Sequence, residues 1–135
     1  MTLRNIAIAV PLAIIACNAA AAHGARSGRC VIKLGESVVI GSLSSRVVYG
    51  PPNYGEDPQT DSKETIYLLK FDPSCADALG ARKIGGNQFQ LVGEKVIGVQ
   101  KFLGKKVVVK GEIFRGETGH HHTRFVLDAS NVVAK

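Results

Sequence analysis

Several widespread sequence signatures are missing from this 135-residue chain. It contains neither the Gly-x-x-x-x-Gly-Lys pattern that binds phosphates nor the Gly-x-Ser-x-Gly nucleophile elbow, and each absence removes the signature of a large enzyme class. No internal repeat, coiled coil or low-complexity segment occurs. No apolar run reaches the roughly 20 residues that a membrane-spanning helix needs. Since the sequence contains no recognisable set of catalytic residues, we expect a protein that is not an enzyme.

The N-terminus carries the clearest pattern. Arg4 precedes an apolar run over residues 6–16, and small residues follow at 19–22. This order is typical of a secretory signal peptide, so we expect a leader at 1–22 and a mature domain at 23–135 in the periplasm or secreted. Residues 14–17 also resemble a lipobox, and this alternative would make Cys17 the lipidated first residue of a membrane-anchored lipoprotein.

The chain has three cysteines, and either cleavage removes Cys17 as a free thiol. Outside the cytoplasm the remaining pair, Cys30 and Cys75, is expected to form a disulfide. The formal net charge is +6. For an exported protein we expect no nucleic-acid partner. The polyanions that its positive charge could bind are then lipid headgroups, lipopolysaccharide phosphates and wall carboxylates.

Apolar periodicity predicts an all-β fold with one domain. Alternating residues indicate a long strand at 37–49, in which Gly41 predicts a bend. Further strands are predicted at 64–71, 89–92, 105–114 and 123–128, with a short helix at 94–103. Five strands with a helix between the third and fourth is the layout of a small OB-fold-like β-barrel.

A Pro- and Gly-rich loop at 50–63 separates the first two predicted strands. It carries the carboxylates Glu56, Asp57 and Asp61, together with Tyr54 as a surface for stacking. In an OB-fold this loop and the one between the last two strands commonly bind ligands.

The loop between the last two strands contains three consecutive histidines, His120, His121 and His122. In extended chain alternate side chains point the same way, so His120 and His122 are candidates to hold zinc or copper. Carboxylates of the loop at 50–63 could complete such a site. The alternative is that these histidines bond to backbone groups or close the barrel end.

Two landmarks, Gly-Lys-x-Val at residues 104–107 and Thr-Gly-His-His-His-Thr at 118–123, carry a family resemblance that extends to residues 50–54 and 71–75. The chain resembles domain-of-unknown-function family 4431, an uncharacterised family of bacterial exported proteins. The resemblance implies a small exported domain, sometimes joined to lysozyme-inhibitor-like modules. It implies no activity.

These observations favour an exported, non-catalytic envelope binding module without a cofactor. It would engage an unknown protein or glycan through its loops, as an inhibitor does. Metal binding, or a metal-dependent enzyme using the histidine cluster, is the first alternative. The second is attachment to anionic envelope polymers through the net charge.

Overall fold

The computed structural model describes residues 29–135, so the predicted leader and Cys17 lie outside the described residues. The described chain contains seven strands: β1 Val31–Ile32, β2 Gly35–Tyr49, β3 Lys63–Phe71, β4 Ala76–Asp77, β5 Gln88–Val92, β6 Lys106–Arg115 and β7 Phe125–Ala134. One short helix, α1, spans Ala81–Ile84, and two 3-10 turns span Glu94–Val96 and Val99–Phe102. The predicted all-β class is confirmed.

The five long strands pair in a closed cycle. β2 pairs with β3, β3 with β5, β5 with β7, β7 with β6, and β6 again with β2. Only the β5–β7 pairing within this cycle is parallel. β2 pairs with two strands, with β6 along its first half and with β3 along its second half.

Gly41 lies where β2 passes from one partner to the other, opposite both Phe71 and Val107. A Cβ atom there would come within 2.4 Å of the Lys70 carbonyl oxygen, so only glycine permits this close strand approach. The bend predicted from this glycine therefore has a steric basis.

Period-two alternation places one face of each long strand in the core. The core cluster contains deeply buried side chains from all five of these strands, and Ile32 of β1 and Val99 of the second 3-10 turn join them: the strand residues are Val39, Leu43, Leu69, Phe89, Val107, Val109, Ile113, Phe125 and Leu127. Three further apolar residues, Ile66, Leu68 and Val126, are buried outside this cluster. Leu68 and Val126 each pair with Gln90 in the strand between them, so they lie in one row on the other face of the sheet.

Cys30 and Cys75 form a disulfide with a Cα–Cα distance of 4.7 Å, beside the short parallel pair β1–β4. The pairing expected from the sequence is therefore present. The bridge closes a segment with a sequence separation of 45, for which loop closure corresponds to about 4 kcal/mol of stabilisation.

Two sequence predictions were wrong in detail. The strand number is seven because the two-residue strands β1 and β4 flank the disulfide. The helix predicted at 94–103 is replaced by two 3-10 turns separated at Ile97 and Gly98, where Gly98 has φ +87°. β-Branched residues and a mid-segment glycine both disfavour an α-helix. The helix that does form, α1, lies between β4 and β5, and the Asp77 carboxylate accepts hydrogen bonds from its first amides.

Within residues 29–135 no helix is long and apolar enough to cross a membrane.

Candidate binding site between two loops

The acidic loop, residues 50–62, is organised around Asp61. The Asp61 carboxylate accepts the backbone N–H groups of Asn53 at 2.7 Å and Gly55 at 2.6 Å. Gly50 N–H also bonds to the Ser62 carbonyl at 2.8 Å, which closes the base of the loop. Asp61 is thus occupied with holding its own loop in shape.

Burial opposes ionisation of Asp61, yet the N–H groups of Gly55 and Asn53 favour the carboxylate and hold its pKa below the ordinary value. Asp61 therefore acts as an ionised acceptor that fixes the turn. Glu56 and Asp57 differ from it because they are exposed, and within the described residues their two carboxylates accept a single hydrogen bond, from the Gln59 amide to Asp57 Oδ1 at 3.3 Å.

Tyr54 has the backbone conformation that L-residues rarely adopt, with φ +53°, and is the one described non-glycine residue with positive φ. For a bulky side chain this left-handed conformation costs of order 1–2 kcal/mol. The Tyr54 side chain nevertheless stays 46% exposed. An aromatic ring held at the surface by a strained backbone is typical of a functional position.

The histidine loop, residues 116–124, is fixed to the sheet by Gln90. The buried Gln90 amide donates to the His120 carbonyl at 2.9 Å and accepts the His122 N–H at 2.6 Å. The Gln90 backbone N–H also donates to Thr123 Oγ1 at 2.9 Å. Because Gln90 shares its row with Leu68 and Val126, these bonds bring the loop over that apolar row.

The three histidines occupy three different environments. His121 Nδ1 accepts the Glu117 N–H at 3.0 Å, and its ring packs edge-on against Phe114 with 5.6 Å between the ring centroids. His122 Nε2 is buried and has no hydrogen-bond partner within the described chain. His120 is the most exposed, with its side chain 56% accessible.

The two loops meet at His120. His120 Nδ1 lies 3.1 Å from Glu64 Oε2, and its ring stands edge-on to Tyr54 with 6.0 Å between the centroids. A Cβ atom on Gly119 would come within 2.8 Å of the Tyr54 ring, so the glycine permits this contact. The result is an exposed surface formed by an aromatic ring, an imidazole and a carboxylate.

Tyr49 extends this surface. The Tyr49 side chain lies beside Gly55, the residue after Tyr54, since a Cβ atom added to Gly55 would be 3.7 Å from the Tyr49 ring, and it is 37% exposed. Opposite it across the β2–β3 pair is Lys63. The loop-face site is defined here as Tyr49, Tyr54, Glu64 and His120.

The predicted proximity of the two loops is therefore present, whereas the predicted metal set is arranged differently. The carboxylate beside His120 is Glu64 from β3, and Asp61 is turned into its own loop. Across the described residues, no group of three or more His, Cys, Asp or Glu side chains is placed to hold a metal ion. Zinc or copper binding stays a prediction.

Sequence reasoning missed Glu64 and Gln90. Glu64 stands at the start of a strand beside the acidic loop, and its position there was the only available signal. Gln90 was hidden because a glutamine inside a short apolar strand reads as an ordinary outward-facing polar residue.

The pairings and contacts define an all-β protein in which two loops meet at a carboxylate–imidazole pair. Residues 88–132, which run from β5 into β7, match the model of the family described as "Domain of unknown function (DUF4431)". This match confirms the family resemblance over residues 88–132, whereas its extension to residues 50–54 and 71–75 stays a prediction. Neither a curated protein nor a solved structure matches the sequence.

Proposed function

We propose that this protein is an exported, non-catalytic binding module of the bacterial envelope, that its five long strands form an OB-like barrel, and that its loop-face site binds a glycan. The single observation that carries the proposal is the contact of both loops at Tyr54, His120 and Glu64. The leader pattern supports export, and the Cys30–Cys75 disulfide is compatible with an oxidising compartment. Cleavage after residue 22 gives a periplasmic or secreted protein, whereas lipidation at Cys17 would anchor it.

The strand cycle supports the barrel. A closed order of five strands, with the third and fifth parallel and the first paired with the fourth, is the connectivity that an OB-like barrel requires. In such barrels the loops after the first and fourth strands bind oligosaccharides and oligonucleotides. Here these loops are the acidic loop and the histidine loop.

The chemistry of the surface favours sugar over other ligands. Tyr54 and Tyr49 offer exposed aromatic faces for the apolar side of a pyranose ring. The Glu64 carboxylate accepts hydrogen bonds from hydroxyl groups, and the His120 imidazole exchanges donor and acceptor roles. Because Glu56, Asp57 and Glu64 make the surroundings acidic, a neutral or amino sugar fits better than a carboxylate-bearing one.

Calorimetric titration of the exported protein with chito-oligosaccharides and with soluble wall fragments tests this proposal. We expect saturable binding, and Tyr54→Ala should weaken it about tenfold through loss of ring stacking. Tyr54→Phe keeps the ring and is the matched control, which should bind as the parent does. If no glycan binds saturably, or if Tyr54→Ala binds like the parent, the glycan proposal is wrong. Tyr54-dependent capture of an envelope protein would instead make the ligand a protein.

Metal binding is the second candidate, and one observation favours it. His122 Nε2 is buried without a hydrogen-bond partner in the described chain, and His120 already has a carboxylate beside it. Titration with zinc and with copper should then give a binding isotherm that His120→Ala combined with His122→Ala abolishes. An unchanged isotherm in the double variant would rule out this site.

A further inference from the structure

The segment after β5 divides its apolar residues between two sides. Val99 is 1% exposed, and Val96 and Phe102 pack against the core. Ile97 and Leu103 point away from it, and Ile97 is 87% exposed, the highest value among the exposed large apolar side chains of the described chain. The core therefore accounts for three of these five side chains and leaves two at the surface.

The fold forces Ile97 outward. The first 3-10 turn ends at Val96 with Ile97 as its C-cap, and the second begins at Val99 after Gly98, which has a left-handed backbone with φ +87°. Ile97 thus occupies the corner between two tight turns that are fixed from below by Val96 and Val99. A rigid corner presents its side chain without the entropy cost of ordering a flexible loop.

The same segment is basic. Residues 94–105, named here the basic turn, contain three lysines, Lys95, Lys101 and Lys105, against one carboxylate, Glu94. All three lysines are exposed, and none forms an ion pair within residues 29–135. Lys95, Ile97 and Lys101 line one shallow cleft, so positive charge flanks the protruding apolar side chain directly.

From this arrangement we infer that the basic turn docks on the surface of an anionic phospholipid bilayer, with Ile97 and Leu103 entering the headgroup boundary and the lysines facing lipid phosphates. Lysines attract a negatively charged leaflet, and apolar side chains between them enter the interface. A soluble polyanion or a wall polymer would satisfy the lysines alone and leave Ile97 in water. The inference uses residues outside the loop-face site and is independent of whether that site binds a glycan.

Vesicle co-sedimentation tests the inference with the exported soluble protein, released by osmotic shock. We expect binding to vesicles that contain phosphatidylglycerol and little binding to vesicles of phosphatidylcholine alone. Raising the salt from 0.15 M to 0.5 M should weaken the binding because it shortens the screening length below about 8 Å.

Two variants separate the charge from the apolar contribution. Lys95→Gln with Lys101→Gln should weaken binding about twenty-five-fold, at about fivefold for each lysine near an anionic surface. Ile97→Ser with Leu103→Ser should weaken it about tenfold or more, because the apolar burial is lost. All four positions are exposed, so thermal unfolding should match the parent.

A matched control exists on α1, where Lys83 precedes Ile84, an isoleucine that is 48% exposed. Lys83→Gln with Ile84→Ser removes one lysine charge and one exposed apolar side chain outside the basic turn, and it should leave vesicle binding intact. Equal binding to both vesicle types overturns the inference. An Ile97 and Leu103 variant that binds like the parent, with dextran sulfate as an effective competitor, also overturns it and makes the turn a site for soluble polyanions.

Discussion

The acidic loop and the histidine loop both carry residues that look like ligands, yet the structure stabilises them in different ways. The acidic loop holds itself, since the Asp61 carboxylate bonds to amides six and eight residues away. The histidine loop is held from outside by Gln90, whose partners lie 30 and 32 residues along the chain. The acidic loop is thus stabilised by local contacts and the histidine loop by tertiary contacts. Single substitutions in the two loops should therefore change the free energy of unfolding by very different amounts.

Replacing Gln90 should have the largest effect on stability. Gln90→Leu keeps the side-chain volume but leaves the His120 carbonyl and the His122 amide without their partner, at a cost of about 2–3 kcal/mol in free energy of unfolding. Urea denaturation measures this cost, and hydrogen exchange should show faster exchange of the His122 amide with the acidic loop unchanged.

Gln88→Leu is the matched control on the same strand, because the Gln88 side chain makes no hydrogen bond in the described chain. We expect it to change the free energy of unfolding by less than about 0.5 kcal/mol. Equal stability of the Gln90 variant and the parent would contradict the tertiary fixation of the histidine loop.

The difference between the loops also explains what the sequence could predict. Alternation of Val39, Gly41 and Leu43 is local, so the long strand and its bend followed from the pattern alone. Asp61 was recognisable as a loop carboxylate, but its inward orientation depends on turn geometry that composition does not specify. The pairing of His120 with Glu64, separated by 56 residues, depends on strand register and had no local signal.

The acidic loop should respond to pH through Asp61. Its pKa in the folded state is lowered from 3.8, so the stabilisation by the carboxylate is complete above that value and is lost as the pH falls through the lowered pKa. We expect the amides of Asn53 and Gly55 to lose protection from exchange over that acidic range. Exchange is corrected for the intrinsic pH dependence of amides in a reference peptide.

Asp61→Asn should remove this pH dependence, since one of its two acceptor oxygens becomes a donor that faces an N–H group. Asp57→Asn in the same loop is the control and should keep the parental profile. Global unfolding is a poorer measurement here, because the pKa values of Asp72 and Asp77 are also lowered, the former chiefly by the Lys106 ammonium. If the Asn53 amide exchanged as slowly in Asp61→Asn as in the parent at neutral pH, the acidic loop would not be organised around Asp61.

The smallest effect on stability is expected at the contact between the two loops. His120→Ala removes the His120–Glu64 contact, whose side chains are 56% and 30% exposed, and exposed polar contacts contribute little because water competes for the same groups and screens any charge. We therefore expect the free energy of unfolding to fall by at most about 0.5 kcal/mol, while glycan affinity falls by several fold. His121→Ala is the contrasting variant: it removes the acceptor for the Glu117 amide and the packing on Phe114, so it should destabilise the fold more and leave the ligand surface in place. His120→Ala could instead destabilise the protein as much as Gln90→Leu does. The contact between the loops would then be needed for folding, and the argument that Tyr54, His120 and Glu64 are held there to bind a ligand would fail.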